Sequence, residues 1–267
     1  MTPSTAAAEE TALLGLPPEP PDRTVRYGPH PAQVVDFYLP AGAAAERVTV
    51  LHGGFWRAAF DRTHLSPLAA ALARRGTAVA LAEFRQVGDD GGWPGTFDDV
   101  AAVADTTWEG ADHVLLGHSA GGHLALWAAH RARLPSRSRW TRDGAGSVRA
   151  VVAVAPVADL DRAHRLGLSH GAVAELLGGE ELVRARLPEA DPARLLPATV
   201  PVTILHGTID PDVPIELSRA YSAASGAELH ELPGIGHFAP VTPGSAAFAE
   251  LLTALRTHRP PRTAADA

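Results

Sequence analysis

The sequence contains no cysteine, which excludes disulfides, thiolate metal sites and a cysteine nucleophile. Lysine is missing too, so all 23 basic side chains are arginines. They are scattered and outnumbered by 30 acidic residues, for a formal net charge of −7. A basic nucleic-acid-binding face is therefore not expected, nor a surface for anionic membranes. Lysine-free usage with abundant Ala, Arg, Gly and Pro fits GC-rich codon usage better than any function. No run approaches the ~18 apolar residues a membrane span needs. The first residues carry Glu9 and Glu10 where a signal peptide would have a basic start and an apolar core. A cytoplasmic location is the expectation. Without thiols, chemistry must rest on Ser, His and carboxylates. His52, His118 and His123 come with no carboxylate or HExxH spacing, so no metal is expected.

A chain of 267 residues, 46% hydrophobic, is long enough for one large α/β domain and short for two. Residues 1–22 read as a flexible arm, since Pro17, Pro18, Pro20 and Pro21 bar both helix and central strand. The domain spans 23–258, and the Pro/Arg/Ala tail 259–267 is expected to be disordered. Strands are predicted at 24–27, 33–39 (with alternating burial), 48–51, 77–84, 113–116, 148–157, 200–206 and 228–232. Helices are predicted at 63–75, 97–108 with Thr96 as cap, 120–133, 215–225 and 245–258, with an exposed loop at 135–147. A polar helical insertion covers 159–197. Strands alternating with helices imply a mostly parallel central sheet wrapped on both faces, with the insertion as a short cap.

Between the strand at 113–116 and the helix after it lies Gly117-His118-Ser119-Ala120-Gly121, the pattern of a nucleophile elbow. Small residues on either side of the serine let strand and helix approach closely enough for the turn. The turn exposes the Ser119 hydroxyl and aims the amide of Ala120, at a helix start, toward developing negative charge. A serine hydroxyl needs a base near neutral pH. Of thirteen histidines, His237 is favoured, because Gly234-Ile235-Gly236-His237-Phe238 puts it in a flexible loop beyond the last strand. Asp210, after the preceding strand, is the favoured acid. Asp212 is its rival, but Pro211 and Pro214 turn the chain away beyond Asp210. Further oxyanion donors are expected from His52-Gly53-Gly54-Phe55-Trp56, at Gly54 and Phe55. Phe55, Trp56, Trp93 and His118 are candidate pocket residues, and Arg85 is expected to pair structurally with Asp98 or Asp99.

With these residues in view, the chain from about 24 to 258 resembles the α/β-hydrolase superfamily, whose triad order Ser, Asp, His it shares. His-Gly-Gly-x-Trp at 52–56, Gly-His-Ser-Ala-Gly-Gly-His-Leu-Ala at 117–125 and His-Gly-x-x-Asp-x-x-x-Pro at 206–214 look like the small esterase and kynurenine formamidase (arylformamidase) group. The resemblance implies a serine hydrolase of small carboxylic esters, with arylformamide hydrolysis as the alternative. It implies two-step acyl transfer through Ser119, His237 and Asp210, and no cofactor. The expected partner is a small ester or formamide, with neither nucleic acid nor membrane. A non-catalytic ligand-binding member of the fold is the alternative from another class, since a scaffold does not guarantee hydrolysis.

Overall fold

The computed structural model describes residues 6–144 and 146–259. Among them, β1 (Arg23–Arg26), β2 (Val34–Tyr38), β3 (Glu46–Leu51), β4 (Thr77–Ala82), β5 (His113–His118), β6 (Val148–Val154), β7 (Val202–Gly207) and β8 (Glu228–Leu232) form one sheet in the order β1-β2-β4-β3-β5-β6-β7-β8. Pairing is antiparallel from β1 through β2 to β4 and parallel from β4 to β8. The helices are α1 (Ala6–Leu14), α2 (Ser66–Ala73), α3 (Gly95–Thr106), α4 (Ala120–Ala129), α5 (Leu160–Arg165), α6 (Ala172–Leu176), α7 (Glu180–Ala190), α8 (Glu216–Ser225) and α9 (Phe248–Thr257). None is long and apolar enough to cross a membrane.

Because side chains alternate across a strand, β5 sends Val114 and Leu116 to one layer and Leu115 to the other. One layer holds α2 and α9, with Leu68, Leu72, Leu251 and Leu255 buried. The other holds α3, α4 and α8, with Phe97, Leu124, Trp127 and Leu217. A parallel strand buried on both faces must be apolar throughout, which is why Val-Leu-Leu and Ala-Val-Val-Ala-Val are legible as strands.

The insertion folds as α5, α6 and α7. Its ends meet at Asp191, whose carboxylate accepts the amides of Leu160, Asp161 and Ala193 at 3.1–3.3 Å. Burial pushes that carboxyl up to about 6. Toward the sheet, Arg57 grips the insertion through Glu175 and Ser169.

Several expectations are corrected. Residues 6–14 are helical because Ala-Ala-Ala-Glu-Glu-Thr-Ala-Leu-Leu precedes the prolines, and Leu13 is buried. The rest of the supposed arm is tied down as well: Glu19 N–H donates to Ser66 Oγ, Tyr38 Oη–H to Glu19 O, and Asp22 N–H to Phe37 O. β2 is buried along its whole length, since Asp36, expected on an open face, pairs with Arg62 at 2.6 Å. Thr96 is not a cap: buried inside α3, its hydroxyl donates to Arg85 O and accepts from Gly92 N–H. The stretch 135–147 includes Trp140, buried against Trp93, Phe97 and Trp127. The helix predicted at 63–75 begins as a 3-10 turn, Arg62–Leu65, and the one at 120–133 ends at Ala129. The tail from 260 onward lies outside the described residues.

Candidate active site

β5 ends at the elbow. Ser119 has φ 56° and ψ −119°, a conformation that costs an L-residue of order 1–3 kcal/mol and persists only where its surroundings enforce it. The enforcement is close packing. A Cβ on Gly117 would lie 2.2 Å from Gly121 O, and one on Gly121 would lie 2.1 Å from Leu51 O of β3. Both obstacles are backbone, so neither can swing aside. Gly121→Ala is therefore expected to drive the protein into the insoluble fraction or lower its melting temperature by more than 10 °C; a soluble variant melting near wild type would refute this packing account.

β7 delivers Asp210. Its Oδ2 accepts His237 Nδ1–H at 2.6 Å, while its Oδ1 accepts the amides of Asp212 and Val213 at 2.8 and 2.9 Å. His206 Nε2 lies 3.3 Å from the same Oδ2 and 2.9 Å from Val213 O, with Ser218 Oγ 2.7 Å from Nδ1. Burial alone would raise the carboxyl. The hydrogen bonds from His206 and His237 and the His237 charge outweigh it and hold Asp210 well below the usual carboxylate range. Asp212 faces the cavity instead, and burial raises it. Asp210, Asp212 and His237 present ligand-type atoms within 4.8 Å of one another, but both Asp210 oxygens and His237 Nδ1 are taken up by the hydrogen bonds above.

The loop with His237 is held, contrary to the mobility its glycines suggested. His237 is 3% exposed. His118 Nε2–H donates to His237 O at 3.0 Å. Burial and the neighbouring His237 push His118 well below its ordinary value, so it stays neutral. Ser119 and His237 line one cavity, and no hydrogen bond joins the Ser119 hydroxyl to His237 among the described residues. Serine–base bonds are commonly long in ligand-free sites and tighten once substrate is bound.

The opposite wall is the loop after β3. Gly54, Phe55 and Trp56 all have positive φ (109°, 49° and 60°). Gly53 sits so near Ser119 that its missing Cβ would lie 3.0 Å from the serine Cβ. The amides of Gly54, Phe55 and Ala120 donate to no protein acceptor among the described residues. Beneath the loop, His52 Nδ1–H donates to Gly53 O and Nε2–H to Glu83 Oε1, both at 2.8 Å. An imidazole that donates at both nitrogens is the cation. Burial opposes that charge, but Glu83 overrides it and raises His52; burial would likewise raise Glu83, and His52 overrides it and lowers Glu83. The raised His52 contributes stability in full below its unfolded value of 6.5, and loses it as pH rises through its folded value. The lowered Glu83 contributes in full above 4.5 and loses it as pH falls. His52→Ala should thus cost about 3–5 kcal/mol. The deficit should be greatest from about pH 4.5 to 6.5, a dependence that denaturant unfolding across pH would check.

The cavity is ≈ 140 Å³ and lined by Phe55, Phe60, Phe238 and Leu14 together with His64, Glu10 and Asp212. Of the pocket residues expected from sequence, Phe55 and His118 line it. Trp56 and Trp93 do not. Trp56 is 1% exposed and donates its indole N–H to His123 Nδ1 at 3.2 Å; His123 in turn donates to Ala190 O of α7. Trp93 packs on Phe97 and Trp140. Arg85 pairs with Asp99 through two side-chain bonds, away from the cavity. Sequence reasoning missed Leu14 and Glu10, which arrive on α1, and Phe60 and Phe238, whose neighbours Gly54 and His237 were the only signal.

A mostly parallel sheet between two helical layers, with a strained serine at the turn from its central strand into a helix, defines an α/β-hydrolase. The chain belongs to the BD-FAE family, whose model matches residues 35–224. Among solved structures it is similar to esterase B from Lactobacillus rhamnosis (TM-score 0.74, 20% identity, 94% of this chain and 90% of that one). It is likewise similar to a carbohydrate esterase from gut microbiota (0.68, 22%, 90% and 99%) and to a thermophilic esterase from Thermogutta terrifontis with propionate bound (0.65, 22%, 86% and 92%). No curated protein matches the chain.

Proposed function

We propose that the protein is a serine carboxylesterase that hydrolyses esters of short carboxylic acids. The observation that carries this reading is Ser119, held at φ 56° on the wall of a cavity it shares with His237, whose Nδ1 is bonded to Asp210 at 2.6 Å. His237 Nε2 takes the Ser119 proton as Oγ attacks the ester carbonyl, and the oxyanion rests on the amides of Gly54, Phe55 and Ala120. Collapse breaks the bond to the alcohol oxygen, which leaves with the proton from His237. Water, deprotonated by the same imidazole, then attacks the acyl-serine, releasing the acid and restoring the hydroxyl.

BD-FAE membership and the esterase names of three structural neighbours support this chemistry. The cavity volume favours short acyl groups, because pockets for drug-sized ligands run to about 300–1,000 Å³. Three phenylalanines in its lining favour an arylformamidase as the second reading, with an aryl leaving group against Phe55, Phe60 or Phe238. The test is a panel of acetyl to octanoyl aryl esters, acetylated sugars and N-formylkynurenine, run with wild type and Ser119→Ala. Highest kcat/KM on acetyl or propionyl esters supports the first reading, and highest on the formamide supports the second. Tight binding without turnover would mean a ligand-binding protein.

A further inference from the structure

Glu9 on α1 is 3% exposed, and its carboxylate is spent on the loop that carries His237. Oε1 accepts Gly236 N–H at 2.8 Å, and Oε2 accepts the amides of Phe238 and Ala239 at 3.2 and 3.0 Å. The three donors bracket His237, one before it and two after. Hydrogen bonds to an ionised acceptor are about twice as strong as neutral ones, so one side chain fixes the backbone on both sides of the base. On the other side of the loop, His118 holds the His237 carbonyl. The loop leaves room for this: a Cβ on Gly236 would lie 2.9 Å from Glu9 Oε2.

Helix geometry explains how α1 serves the site twice. Residues four apart share a face. Glu9 and Leu13 form the inner stripe, with Leu13 1% exposed in the α2–α9 layer, while Glu10 and Leu14, one position on, line the cavity.

We infer that Glu9 is a positioning residue for His237, and that α1 belongs to the active site, one stripe clamping the base loop and the next walling the substrate cavity. The role of His237 as base rests on the esterase reading. During turnover that imidazole must reach first the serine hydroxyl and then the leaving oxygen. A misplacement of about 1 Å can cost on the order of a hundredfold in rate.

The test uses the full chain with Glu9→Ala and Glu9→Gln, read by steady-state kinetics on a short aryl ester and by amide hydrogen exchange over residues 236–239. Glu9→Ala should lower kcat roughly ten- to a hundredfold with KM changed less than about threefold. It should speed exchange in that loop at least tenfold and leave β5 and β6 protected. Glu9→Gln keeps one acceptor oxygen and should fall between the two. Should Glu9→Ala prove insoluble, Glu9→Gln carries the same readouts. Unchanged exchange over 236–239, or a kcat within twofold of wild type in both variants, would overturn the inference. A wild type that hydrolyses nothing in the panel would overturn the esterase reading instead, while the exchange measurement still decides the clamp.

Discussion

Ser119→Ala is expected to lower kcat by roughly 10⁴–10⁶ on any ester the wild type cleaves, leaving KM within a few-fold. In the proposed mechanism the hydroxyl makes the bond of the first step, and among the described residues no other side-chain hydroxyl lines the cavity. The same change should abolish labelling by a fluorophosphonate, which phosphonylates an activated serine. Stability should barely move, because alanine keeps the Cβ and inherits the backbone strain without adding volume. Residual kcat above about a hundredth of wild type would mean that the acyl group is carried elsewhere or that water attacks directly.

Asp210→Asn should cost about 10⁴ in kcat, with the cavity left nearly unaltered. The carboxylate accepts a hydrogen bond from His237 Nδ1–H, which leaves Nε2 free to accept from the serine. An amide turned to satisfy the loop amides at Oδ1 presents NH₂ to both His206 and His237. His237 must then move its proton to Nε2, the tautomer that cannot act as base. Asp210 is held below its unfolded value, so its ionised carboxylate stabilises the fold above about pH 4 and stops doing so as pH falls through its folded value. The melting-temperature gap between wild type and variant should therefore narrow below about pH 4. Asp212→Asn is the control, since that side chain is not bonded to His237, and it should leave kcat within about threefold; the reverse ranking would hand the role to Asp212.

Fold class was legible because a parallel strand covered on both faces needs a near-continuous apolar run; β5 and β6 have one, and β3 and β7 are broken only by Thr49 and Thr203 within 48–51 and 202–205. The elbow was legible because only glycine tolerates the contacts at 117 and 121, so geometry writes itself into residue type. Of the aromatic wall, only Phe55 was legible; Phe60 and Phe238 were not. Residue type does not report which way a side chain turns, and the positive φ at Trp56 sends its indole inward to His123. α1 stayed hidden for another reason. A short alanine-rich segment before four prolines is marginal as an isolated helix. What stabilises it is Leu13 in the core and Glu9 on a loop with no sequence neighbour in common.

Glu9 and Gly236 are 227 positions apart. The contacts that hold Ser119 come from β3, β5, β6 and α4, whereas the partner of Glu9 lies at residues 236–239, far along the chain from the serine. The imidazole and the amides that Glu9 latches thus reach the serine's cavity on one short stretch of chain, and any change that displaces that stretch removes both at once.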